Sequence, residues 1–132
     1  MQSMTAIMIP GCQIQVYRDA GNMLVKLGGS MRLPNCDAIK SALIPLMEAP
    51  SPETYYLHLG ALSELDSAGL GVLVGLHMTA RNRKVQLRIL SPTAFIAKLF
   101  ESTKLNAVLT IMTGVEAEGI RAQMEQEKNL IA

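Results

Sequence analysis

The sequence predicts an α/β domain: a small mixed β-sheet of about five strands covered by helices. Three observations carry this. Short segments of β-type alternation are separated by segments with apolar residues at helical spacing, and each strand-helix-strand step needs a right-handed crossover that covers the sheet. The first two strand patterns are joined by a turn too short for a crossover, which makes them antiparallel. A length of 132 residues with 49% hydrophobic side chains suits one core, and a chain of this size buries roughly two thirds of the surface its unfolded form exposes.

The elements follow in order. Alternation from Cys12 to Tyr17, turn residues Ala20-Gly21-Asn22 and the run Met23 to Leu27 predict a strand hairpin. Ile39, Leu43, Leu46 and Met47 recur at helical spacing after Pro34-Asn35, with Asn35 in the place of a cap and Pro45 expected to kink the helix. Tyr55 to Leu59 is apolar enough for a buried strand, and a helix follows from Ser67 with Leu70, Leu73, Val74 and Met78 as its expected core face. Arg81-Asn82-Arg83-Lys84 closes it, cations standing where a helix C-terminus favours them. Val85 to Leu90 alternates as a strand, and Ser91-Pro92 reads as a cap and first position of a helix whose core face is Ile96, Leu99 and Phe100. Ala107 to Met112 is a last short strand, and Val115, Ile120 and Met124 mark a weakly amphipathic terminal helix. The domain boundaries expected from this are an N-terminal extension over 1–11, the domain over 12–112 and a C-terminal helical extension over 113–132.

Charge excludes several classes of function. Twelve Lys and Arg face eleven Asp and Glu, a net charge of +1, and no like-charge block forms a polybasic arm. The basic run Arg81, Arg83, Lys84 and Arg88, with Lys98 further on, has no aromatic interleaved among its four members, so it reads as a solvated rim, not a nucleic-acid groove. The nine methionines are scattered, as core filler or an adaptable partner surface. The stretch Leu65 to Met78 is too short and too interrupted to span a bilayer, and the apolar run Ala6 to Ile9 is far shorter than a secretory signal requires. A cytoplasmic, reducing location is the expectation. Cys12 and Cys36 have no partner at metal-ligand spacing, which makes buried free thiols the expected state and leaves no metal or cofactor indicated.

The densest group of unusual residues is Leu65-Asp66-Ser67-Ala68-Gly69-Leu70-Gly71, between a buried strand and its following helix. In open α/β sheets ligands and partners meet such loops, and Ser67 is expected to be exposed there. A plainer reading stays open beside it: Asp66 or Ser67 caps the helix, while Gly69 and Gly71 let it pack closely on the sheet. A dinucleotide fingerprint fails because position 74 is Val74, and a nucleophile elbow fails because position 65 is Leu65. Ser67 and His77 lie ten residues apart on one helix, roughly 15 Å. His58 lies within a strand, facing outward or satisfied in the core. No nucleophile-base pair emerges and no catalytic residue is assigned.

The run Leu65 to Leu73 resembles the D-S-x-G-L-G signature of the STAS family, the anti-sigma-factor antagonists. The resemblance extends to the strand Tyr55 to Leu59, to Val85 through Ser91-Pro92, and to the closing pattern Leu99-Phe100 through Leu105, covering about Cys12 to Met112. It implies a non-enzymatic bacterial partner-switching module. Its serine, here Ser67, is phosphorylated by a serine kinase that is often itself the anti-sigma factor, and a metal-dependent serine phosphatase restores the free form. Asp66, Ser67, Ala68, Gly69 and Leu70 are then the expected partner-binding residues, with Asp66 assisting recognition and phosphoryl transfer. The family's acidic residues after the second strand are replaced here by Gly28-Gly29-Ser30-Met31, and its aspartate after the third by Gly60. The same fold also serves as a constitutive subunit of lipid-transport ATPase complexes and as the tail of anion transporters. The extension from Thr113 to Ala132 reads as a homodimer contact or an added docking helix.

Overall fold

The computed structural model describes residues 7–48 and 50–132. Six strands form one sheet in chain order: β1 (Ile7–Ile9), β2 (Cys12–Asp19), β3 (Asn22–Met31), β4 (Thr54–Leu65), β5 (Gln86–Leu90) and β6 (Thr110–Met112). β1, β2 and β3 are antiparallel, and β3 through β6 run parallel. The sheet is mixed as expected, with one strand more than the sequence suggested. β1 is three residues long, too short for alternation to register. Helices α1 (Leu33–Leu43), α2 (Ser67–Arg83) and α3 (Ala94–Ser102) connect the parallel strands, and α4 (Gly114–Met124) follows β6.

Alternation along the strands sorts the apolar residues into two cores. On one face Ile14, Val16, Val25, Leu27, Leu57 and Ile89 pack with Ile39 and Leu43 of α1, Leu73 and Leu76 of α2, and Ile96 and Phe100 of α3. Cys12 and Cys36 are buried in this core. On the other face Tyr17, Leu24 and Leu90 pack with Ala117 and Met124 of α4. The segment after α4 returns to β2, where the amide of Ile131 donates to the carbonyl of Val16 at 2.8 Å. It thereby covers the outer edge of β2 beyond the short β1, satisfying backbone groups that an open edge would expose.

Several local expectations shift. The cap of α1 is Arg32, and Asn35 lies inside the helix, where its Oδ1 accepts from the Arg32 amide and its Nδ2 donates to the carbonyls of Pro10 and Ser30. Its amide is needed to join three segments, which outweighs the cap position. Pro45 ends α1, and the chain continues as a 3-10 turn over Ile44–Met47. The buried stripe of α2 is Gly69, Val72, Leu73, Leu76 and Ala80, whereas Val74 and Met78 are exposed. A helix that begins with Ser67 in solvent turns positions 74 and 78 to the same outer face. α3 begins after Thr93, whose hydroxyl accepts from the Ile96 amide; Ser91 sits in left-handed backbone instead. In α4, Val115 is exposed, and Ala117, Ile120 and Met124 face the sheet.

α4 is also tied down by charge. Nδ1 of His58 accepts from the Gly60 amide, so Nε2 carries the proton and donates to Oε2 of Glu118 at 2.9 Å. The Ser91 hydroxyl donates to the same oxygen at 2.6 Å, and Nε of Arg121 donates to Oε1 at 2.8 Å. These donors, the Ser91 hydroxyl first, hold the Glu118 carboxyl down at about 2. His58 is thus a satisfied core histidine. Among the described residues no helix is long and apolar enough to cross a membrane.

Candidate functional site

β4 is twelve residues long, but β5 pairs only with its first half, Thr54 to His58. Its second half runs on beside β3 as far as the pair Met31 and Leu65. β3 accommodates this length by shifting register at Lys26/Gly28 and at Gly29/Ser30. Gly29 lies at φ +87°, and a Cβ there would stand 2.3 Å from the Gly11 carbonyl oxygen. Gly29 therefore serves a close backbone approach that an acidic residue could not occupy. The extended β4 delivers Asp66 and Ser67 to the rim of the sheet beside the start of α1.

Asp66 joins two helix starts. Its Oδ1 accepts from the Gly69 amide at 2.9 Å, capping α2, and its Oδ2 accepts from the Leu33 amide at 2.9 Å, at the first position of α1. Its own amide donates to the Met31 carbonyl at 3.2 Å. The amides of Gly69 and then Leu33 hold the carboxyl below the ordinary aspartate range. Both oxygens are thus engaged, and a carboxylate stabilised in this way is a weak base toward the neighbouring hydroxyl.

Ser67 is the first residue of α2 and is exposed. Ala68 and Leu70 are half-buried, and Gly69 is buried, because a Cβ there would meet Leu65 Cδ1 at 2.5 Å and the Met31 carbonyl oxygen at 2.6 Å. The close-packing role thus belongs to Gly69; Gly71 is exposed and a Cβ on it would meet nothing within 4 Å. Of the expected partner-binding residues, Ser67 presents itself most openly, and Gly69 acts by setting the height of the helix start. His58 faces α4, and His77 lines a separate cleft of about 200 Å³ with Arg81 and Arg88.

Beside Asp66 lies a shallow pocket of about 240 Å³ lined by Arg32, Ser63, Glu64, Leu65 and Phe95 together with Asp66 itself. Phe95 is 57% exposed and Leu33 is 74% exposed. Such apolar groups in the open, next to a polar loop, suit a protein contact. Sequence reasoning missed Arg32, Leu33 and Phe95. The available signal was an aromatic residue lying off the apolar stripe of α3.

A model of the STAS domain matches residues 13–118. The anti-sigma-B factor antagonist of Staphylococcus aureus (strain NCTC 8325 / PS 47) is 31% identical over 94 residues, which make up 71% of this chain and 86% of that protein. Two solved structures share the fold. The anti-sigma factor antagonist SpoIIAA in its unphosphorylated form gives a TM-score of 0.66 at 19% identity, covering 83% of this chain and 96% of that one. The Bacillus cell fate determinant SpoIIAA in its phosphorylated form gives 0.64 at 19% identity, covering 83% and 98%.

Proposed function

Since the chain belongs to the STAS family, we propose that it acts as a phospho-regulated anti-sigma-factor antagonist, binding a serine kinase/anti-sigma factor and released when Ser67 is phosphorylated. The observation that carries this reading is the placement of Ser67: exposed at the first position of α2, with the neighbouring carboxylate already spent on two backbone amides. The hydroxyl is open to an incoming kinase, and the loop that presents it is held from both helices. A serine phosphatase completes the cycle.

The switch works through charge and size. Phosphorylation adds about −1.5 to −2 charge beside Asp66. In the free protein the amino end of α2 tolerates that charge, so the fold persists. In an interface the hydrated dianion must be stripped of water where a hydroxyl had fitted. Each 1.4 kcal/mol of penalty is about tenfold in affinity.

The test is intact-mass analysis and affinity purification from the native cell, followed by calorimetry on the partner recovered. Ser67→Ala is expected to retain binding and lose the phosphate mass. Ser67→Asp is expected to bind about tenfold or more weakly, with unchanged circular dichroism. Unchanged affinity of authentically phosphorylated protein would reject the switch and favour a constitutive binding subunit.

A further inference from the structure

Arg32 stands at the same place as Asp66, at the start of α1. It caps α1, and the amide of the next residue, Leu33, donates to Oδ2 of Asp66 at 2.9 Å. Its side chain lines the pocket that Asp66 shares with Glu64 and Phe95. Its ion pair is with Glu64, Nη1 to Oε2 at 3.6 Å, and the two side chains are 55% and 59% exposed. A single long contact in solvent holds a guanidinium weakly, so Arg32 is free to exchange partners.

We propose that Arg32 is the intramolecular receptor for the phosphate on Ser67: on phosphorylation its guanidinium leaves Glu64 and pairs with the phosphoserine. The inference rests on the reading of Ser67 as the phosphoacceptor. Three acceptor oxygens and a charge near −2 suit the planar fork of a guanidinium better than one distant carboxylate does. The need for a cation is local. Asp66 is held in its ionised form by the Gly69 and Leu33 amides, so the phosphate arrives beside a negative charge that cannot move away. Of the charged groups around the pocket, Asp66 and Glu64 are acidic and Arg32 is the cation.

The consequence reaches beyond charge. When Arg32 turns to the phosphate, Glu64 loses its partner and the wall of the pocket next to Phe95 is rebuilt. A partner that uses this pocket therefore meets an altered surface as well as a dianion. Phosphorylation is read twice, once directly and once through the withdrawn arginine.

The test uses full-length protein with phosphoserine installed at position 67 by codon suppression, so that it reads Arg32 whether or not any kinase modifies Ser67. The second ionisation of phosphoserine falls near pH 6 and is followed by phosphorus NMR. A neighbouring cation favours the dianion, so the midpoint in the wild type is expected to lie about 0.5–1 pH unit below that of Arg32→Gln. Arg32→Lys is expected to fall between them. Arg83→Gln, whose charge lies sixteen residues along α2 and roughly 24 Å away, should leave the midpoint at the wild-type value. Glu64→Gln, which removes the competing partner, should keep it as low or lower. Equal midpoints for the wild type and Arg32→Gln would overturn the proposal. A low midpoint in the wild type that vanishes in Arg32→Gln supports it, even if Ser67 proves not to be a kinase target and the functional reading falls.

Discussion

Two glycines two positions apart in the Asp66 to Gly71 signature should respond to alanine with opposite signs. At Gly69 the new methyl group would stand 2.5 Å from Leu65 Cδ1, 2.6 Å from the Met31 carbonyl oxygen and 3.1 Å from Met31 Cβ. The Leu65 methyl belongs to a side chain, but that side chain is packed in the core. The carbonyl belongs to β3 and receives the Asp66 amide. Relief therefore requires the start of α2 to move by about 1 Å to restore ordinary contact distances. Overpacking of this kind costs about 1–3 kcal/mol. The gain of about 1 kcal/mol that alanine brings to a helix offsets part of it. Displacement also strains the bond from the Gly69 amide to Asp66. The net expectation for Gly69→Ala is a loss of about 1–2 kcal/mol. At Gly71 a methyl group would meet nothing within 4 Å, so Gly71→Ala keeps the helical gain alone, about 0.5–1 kcal/mol. With a urea slope of about 1–3 kcal/mol/M, the unfolding midpoints of the two variants should differ by roughly 0.5–3 M. A midpoint for Gly69→Ala equal to or above that of Gly71→Ala refutes the packing argument.

Two further tests address the stability of the frame. Glu118, about 2 in the folded protein against an ordinary 4.5, stabilises the fold above its ordinary value, and the contribution is lost as pH falls from that value toward 2. Glu118→Gln should flatten the fall in the urea midpoint between pH 5 and pH 3, with salt reducing the wild-type slope because the carboxylate is half exposed; an unchanged slope contradicts this. Tyr55 is fully buried and its hydroxyl donates to the Leu43 carbonyl at 3.3 Å, at the end of α1. Tyr55→Phe should cost about 0.5–1 kcal/mol, small because the bond is long, in equilibrium unfolding.

What the sequence determined by itself was the succession of elements and the place of the exposed serine. Alternation at Cys12 to Val16 and Val85 to Ile89, and the helical spacing of Ile39, Leu43 and Met47, record the burial of one side of each element against the larger core, which is a local property of the chain. The Asp-Ser pair after a buried strand likewise located a helix start, because capping joins residues three apart. Tertiary structure decided everything that depends on distance in sequence. Asp66 reaches back thirty-three residues to Leu33, and His58 reaches forward sixty to Glu118. Periodicity says that α4 has an apolar side but not that it lies on the face of the sheet opposite α1, α2 and α3. It also could not separate Gly69 from Gly71, two glycines in one motif, since only the approach of β3 makes a side chain at the first costly and at the second harmless. The pocket at Arg32 and Phe95 belongs to the same class: its walls come from the ends of β3 and β4 and the start of α3. No local pattern encodes their meeting, because it is the long overhang of β4 against β3 that brings them to one rim.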